Sequence, residues 1–96
     1  MIEVRQTKQF VDWLIGLRDT KARKIIRNRL NRIELGLFGD VTPVGQGISE
    51  LRIDFGPGYR VYFVRRGAEL VILLGGGDKA SQPRDIAKAK ELAGQL

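Results

Sequence analysis

Apolar and polar positions change rhythm twice along this chain. Phe10, Trp13, Leu14 and Leu17 recur at i, i+3, i+4 and i+7, the spacing of an amphipathic helix. Thr7 stands where such a helix is capped. A second helical stripe, Ala22, Ile25 or Ile26, Leu30 and Ile33, follows Asp19 and Thr20, either of which can cap it. Gly36 then sits where a left-handed C-terminal residue is expected. The short break between the stripes predicts an antiparallel helical hairpin. Ahead of it, Ile2 to Arg5 reads as a short strand, apolar at Ile2 and Val4.

After Gly36 the period falls from helical to two. The run GLFGDVTPVGQGIS, rich in glycine, reads as a loop or irregular edge. Glu50 to Phe55 is predicted as a strand, FGPGY as its turn, and Tyr59 to Arg66 as the returning strand. Gly67 turns the chain again. Glu69 to Leu74 is continuously apolar, which suits a central strand buried on both faces. GGGDKASQ is expected to leave the sheet, and Gln82 to Leu96 to form a helix with Ile86, Ala89, Leu92 and Ala93 as its apolar face. Pro83 is tolerated because it falls in the first turn. These elements predict one α+β domain over residues 1–96. In it an N-terminal strand and helical hairpin pack on a small twisted, mostly antiparallel sheet, with a C-terminal helix.

Composition narrows the chemistry. A chain of 96 residues supports one modest core. It contains no cysteine and no histidine. Disulfides and thiolate metal sites are therefore excluded, and so are the usual neutral-pH base and the commonest metal ligand. Neither a metal nor a cofactor is expected. The polar start MIEVRQTKQF lacks the apolar stretch of a signal peptide, and Leu70 to Leu74 is too short to span a bilayer, so a cytoplasmic protein without membrane contact is expected. The formal charge is +6, and its distribution is uneven. Thr20 to Leu35 carries Lys21, Arg23, Lys24, Arg27, Arg29 and Arg32 against Glu34 alone, a net of +5. Such a stretch suits a polyanion or an acidic protein partner, although a solvated helix face would look the same.

Alternation assigns the strand side chains to faces. Leu51, Ile53 and Phe55 share one face, and Arg52 and Asp54 the other. On the returning strand Tyr59, Val61 and Phe63 separate from Arg60, Tyr62 and Val64. If the helices cover the Leu51 face, the opposite face shows Arg52 and Arg60 with Tyr62. A salt-bridged face, Arg52 with Glu50 or Asp54, is the alternative; Arg60 has no obvious local carboxylate. GGGDK lacks the Lys-Ser/Thr spacing of a Walker loop. It reads as a flexible strand end that delivers Lys79, its glycines allowing close approach of a phosphate. Phe10, Trp13, Leu14 and Leu17 read as helix–helix core, and Asp85, Lys88 and Lys90 as a solvated helix face. Arginine forks bind phosphate and stabilise developing charge. A lysine beside other cations can move a proton. Tyr59 or Tyr62 could stack an unpaired base.

The runs GDVTPVGQGISELRIDFGPGYRVYF and LLGGGDKASQPRDIAKAK, with the preceding FVDWLIGLRDTKARKIIRNRLNRIELGLFGD, resemble the RelE/ParE superfamily of bacterial toxins. The likeness is nearest to the HigB-like "addiction module killer protein" group. It implies the toxin of a type II toxin–antitoxin pair, an endoribonuclease that cuts mRNA on the ribosome without metal. It also implies a small antitoxin partner, often a helix-turn-helix repressor. By position it implies that Arg60 in GYRVYF contacts phosphate, with Arg52 in ELR and Lys79 in GGDK as further basic catalytic positions. Tyr62, Lys21, Lys24 and Arg27 are the candidate RNA-binding residues. The chain departs from RelE-type enzymes in having Glu50 and Asp54 where they carry extra lysines. It also lacks a C-terminal tyrosine and any histidine. Those departures keep two other readings open: a ParE-like inhibitor of DNA gyrase that performs no chemistry, and a degenerate toxin that only binds protein.

Overall fold

The computed structural model describes residues 1–96 as β1 (Glu3–Gln6), α1 (Lys8–Gly16), α2 (Thr20–Glu34), β2 (Val41–Gly45), β3 (Ile48–Ile53), β4 (Tyr59–Arg66), β5 (Leu70–Gly77) and α3 (Gln82–Gly94). The helices start where their side chains can hold free amides. The Thr7 hydroxyl accepts from Phe10 N at 3.3 Å, and Asp19 Oδ1 accepts from Lys21 N at 3.0 Å and Ala22 N at 3.1 Å. Each such cap stabilises by about 1 kcal/mol. Gly36, at φ +80°, ends the second helix in the left-handed conformation that glycine adopts without a Cβ clash. No helix is long and apolar enough to cross a membrane.

The five strands lie in the order β1-β5-β4-β3-β2. All neighbours are antiparallel except β1 and β5, which run parallel with Gln6 opposite Leu73. The fold is therefore α+β with a mostly antiparallel sheet, as the sequence pattern implies. One local expectation narrows and one changes. Within the glycine-rich run 36–49, read as a loop or irregular edge, Val41–Gly45 is an irregular edge strand paired with β3. Its register shifts between Pro43 and Gly45. A proline and a bulge are the usual devices that keep an edge strand from recruiting another chain. The change is at the GGG triplet, which does not leave the sheet but completes β5, with Gly75, Gly76 and Gly77 opposite Tyr62, Val61 and Arg60. β5 has neighbours on both sides, as its apolar run implies; the middle strand is β4.

Helices cover both faces of the sheet. Phe10, Leu14, Ile26, Leu30 and Ile33 of α1 and α2 pack on Leu51, Ile53, Val61, Phe63, Val71 and Leu73. On the other face Ala89 of α3 packs with Ile48, Tyr62, Val64, Ile72 and Leu74. Alternation correctly separates the two sets of strand residues, but the second face is not open. α3 closes it over Arg60 and Tyr62, which are 5% and 0% exposed.

Candidate phosphate-binding corner

The side chains of interest gather where β3 turns into β4 and β5 gives way to α3. Arg52 and Arg60 are direct cross-strand partners. Arg60 Nη1 donates to the Gly58 carbonyl at 2.9 Å. A Cβ placed on Gly58 would lie 3.3 Å from that nitrogen and 3.6 Å from Lys79 Cβ, so Arg60 and Lys79 converge on the same turn. Three segments distant in sequence thus bring Arg52, Arg60 and Lys79 to one corner. Arg52 and Lys79 are exposed there, and Arg60 lies beneath. The turn is also pinned from the helical side: Arg29 Nη1 of α2 donates to the Arg52 carbonyl at 3.1 Å.

Arg60 has a carboxylate after all. Glu50 lies two residues before Arg52 on the same strand face, diagonal to Arg60 across the ladder. Its Oε1 is 3.4 Å from Arg60 Nε and 4.0 Å from Arg52 Nε. Its Oε2 accepts from Gln82 Nε2, on the first turn of α3, at 2.7 Å. Glu50 is 3% exposed, so Arg60 and Glu50 form a buried ion pair. Sequence reading of Arg60 as unpaired fails because the partner is set by register, not by nearness along the chain. The i, i+2 spacing of Glu50 and Arg52 was the available signal.

Tyr62 is sealed, which removes it as a base-stacking platform in this conformation. Its hydroxyl has no hydrogen-bond partner. Burial, then the negative charges of Glu50 and Asp85, push the phenol well above its ordinary range, with Arg60 opposing weakly. Such a group stays protonated at neutral pH.

Two of the three glycines of β5, Gly76 and Gly77, have packing reasons. A Cβ on Gly76 would lie 2.3 Å from the Trp13 ring of α1, and one on Gly77 would lie 1.8 Å from Asp85 Oδ2 of α3. Strand and helices meet too closely there for any side chain, so these glycines are not a phosphate cradle. Trp13 continues into an edge contact with Tyr59, centroids 6.3 Å apart. Beyond β5, Asp78 Oδ1 accepts from Ala80 N at 2.9 Å and Ser81 N at 3.2 Å, and the Ser81 hydroxyl donates to Asp85. Asp85 is accordingly part of the tie between loop and helix rather than a solvated position.

The match of residues 12–95 to the family described as "Phage derived protein Gp49-like (DUF891)" decides the kinship. The chain belongs to this family. Gp49-like proteins are associated with toxin–antitoxin systems, and that context points to an antitoxin partner for the present one. A Haemophilus influenzae protein described as uncharacterized is 47% identical over 95 residues, covering 99% of this Gp49-like chain and 96% of its own length. The basic residues of α2 divide in the Gp49-like fold. Lys21 Nζ stands 5.5 Å from the Phe55 ring, beside the β3–β4 turn. Lys24 is exposed, and Arg27 lines a groove with Val4, Val11 and Ile15 next to β1, the opposite sheet edge from β2 and β3.

Proposed function

We propose that this Gp49-like chain is a type II toxin of the RelE/ParE kind, HigB-like, acting as a metal-independent endoribonuclease that cuts mRNA on the ribosome and so inhibits translation. The observation that carries the reading is the meeting of Arg52, Arg60 and Lys79 at the Gly58 turn. Arg52 and Lys79 offer exposed charge to a phosphate. Arg60, held from behind by Glu50, contributes a fixed guanidinium edge to the charge that builds on the phosphate during cleavage. Lys79 carries the proton to or from the reacting oxygens. Lys21 and Lys24 extend the basic track toward ribosomal RNA or an acidic antitoxin segment, and Arg27 serves a separate contact. The protein works in the cytoplasm, and its antitoxin is a small helix-turn-helix protein.

The test is 5′-end mapping of cellular mRNA after induced expression. Cuts in translated messages are expected, and Arg60→Ala, purified folded, should abolish both the cuts and growth arrest. Retention of both by Arg60→Ala removes Arg60 from the site.

One observation favours a second reading, a ParE-like inhibitor of DNA gyrase. Acid–base cleavage of RNA needs two proton-handling groups, and with Tyr62 enclosed and protonated the corner exposes only Lys79. That reading predicts intact mRNA with blocked supercoiling in the same expression experiment.

A further inference from the structure

β1 ends early. Its pairing with β5 stops at Leu73, whose carbonyl takes both Thr7 N at 3.2 Å and the Thr7 hydroxyl at 2.7 Å. The chain then turns into α1. From Gly75 to Gly77, β5 has a strand neighbour only on its β4 side, Leu74 falls at a register shift, and no loop or cap backbone group bonds to the other side. This short open edge is not on the surface at large. It floors a cleft of about 620 Å³ walled by Trp13 of α1 and by Ala89 and Leu92 of α3. The far edge of the same sheet is blunted by Pro43 and a register shift; this one also carries a register shift, at Leu74, but no proline, and beyond Leu74 it runs regularly through three glycines.

The third glycine is the telling residue. Trp13 and Asp85 account for Gly76 and Gly77, yet a Cβ on Gly75 would meet nothing within 4 Å, and Gly75 has no positive φ. A strand glycine without a packing or backbone reason costs stability and marks a place where another backbone or side chain comes close. By alternation with its two neighbours, the empty position on Gly75 faces α3. The cleft lining is acidic on a protein of charge +6: Asp85 and Glu91 of α3 stand against Lys88, while Asp12 is paired with Lys8 at 2.7 Å. A polyanion is disfavoured there and a cationic segment favoured.

We propose that the open edge of β5 takes up an extended, basic segment of a protein partner as an added strand. The segment's main chain pairs with Gly75 to Gly77, beyond the register shift at Leu74. One long basic side chain crosses Gly75 with its stem against the bare backbone, its charged head reaching the carboxylates of α3. Apolar residues on the alternate face meet Trp13. This site is separate from the Arg60 corner, and it holds whether or not the chain cuts RNA.

The experiment uses the whole ¹⁵N-labelled chain titrated with a decapeptide of alternating valine and lysine. Its valine–glutamate counterpart and a single-stranded oligouridine serve as comparison probes. The lysine peptide should shift the amides of Gly75 to Gly77, the Trp13 indole and the α3 amides saturably, and the other two probes should leave them unmoved. A Cβ at Gly75 meets nothing within 4 Å in the free protein, so Gly75→Val should fold while binding at least about tenfold more weakly. Glu91→Lys should weaken binding too, through charge alone. Absence of binding overturns the proposal. So do equal binding of the glutamate peptide, displacement by oligouridine, shifts confined to other surfaces, or undiminished binding by the folded Gly75→Val protein.

Discussion

Glu50 and Leu51 are neighbours on β3, point to opposite faces of the sheet and are both nearly sealed, at 3% and 0% exposure. Leu51 sits among apolar side chains of α1 and α2, where its burial is favourable without any partner. Glu50 sits under α3 in a polar chain that runs from Gln82 through its two oxygens to Arg60. One layer is held by area alone, the other by area around Ala89 and, at its end, by matching. The apolar layer tolerates a loss in proportion to the volume removed. The polar end depends on every member being present, because a buried charge without its partner costs more than the pair contributes.

The largest effect that would break this contrast is at Glu50. Glu50→Ala leaves Arg60 buried and uncompensated and should destabilise by about 3–5 kcal/mol in urea unfolding. The double change Glu50→Leu with Arg60→Met should recover most of that, as apolar groups of similar size replace the pair. Leu51→Ala, costing about 2–5 kcal/mol, should have no second-site change on β4 that restores it. Failure of the double variant to recover would mean that this end of the α3 layer needs the polar contacts themselves and not merely the absence of an unpaired charge.

Next in size is the glycine series in β5. Gly76→Ala drives a methyl into the Trp13 ring and should cost about 1–3 kcal/mol, whereas Gly75→Ala should stay within about 0.5 kcal/mol of the parent. Equal costs at the two positions would mean that α1 does not approach the strand as closely as the Trp13 contact requires.

The smallest effect is at Tyr62. Its hydroxyl is buried without a partner, so Tyr62→Phe should be neutral or stabilise by about 1 kcal/mol at pH 7. The phenol is raised above its ordinary value of 10.0, so folding favours the protonated form. That contribution is complete below the ordinary value and is lost as pH rises above it. Stability of the parent should therefore fall in alkali more steeply than that of Tyr62→Phe. Parallel pH curves for the two would show that the hydroxyl reaches solvent or a partner.

Much of this was readable in residues whose signals are local. Thr7 and Asp19 announce their helices because capping depends on the next three amides. Tyr59 and Arg66 bound β4 because FGPGY and Gly67 admit turns there. What could not be read lies in register and tertiary contact. Glu50 reaches Arg60 only through the diagonal of a ladder. The reasons for Gly76 and Gly77 stand more than 60 residues away at Trp13, and four and eight residues beyond the strand end at Ser81 and Asp85. Alternation sorted Arg60 and Tyr62 onto the correct face, yet nothing in β3 or β4 reveals that α3 returns to cover it. The gathering of Arg52, Arg60 and Lys79 was legible in outline because strand pairing around two short turns leaves few other places for them. The enclosure of Tyr62 and Glu50 was not legible, since it depends on where α3 returns.

The parallel pairing of β1 with β5 also bears on the order in which the molecule can come into being. Gln6 finds its partner Leu73 across nearly the whole chain, and the hydroxyl of Thr7, which starts α1, bonds a carbonyl 66 residues later. During synthesis the helical hairpin has no sheet to rest on, and the first strand has no neighbour until β5 has been made. Glu50 in turn waits for Gln82. Such long-range closure makes folding a late and slow event. Partial chains leaving the ribosome hold neither the complete apolar layer nor the Arg60 corner until β5 and the first turn of α3 have been made.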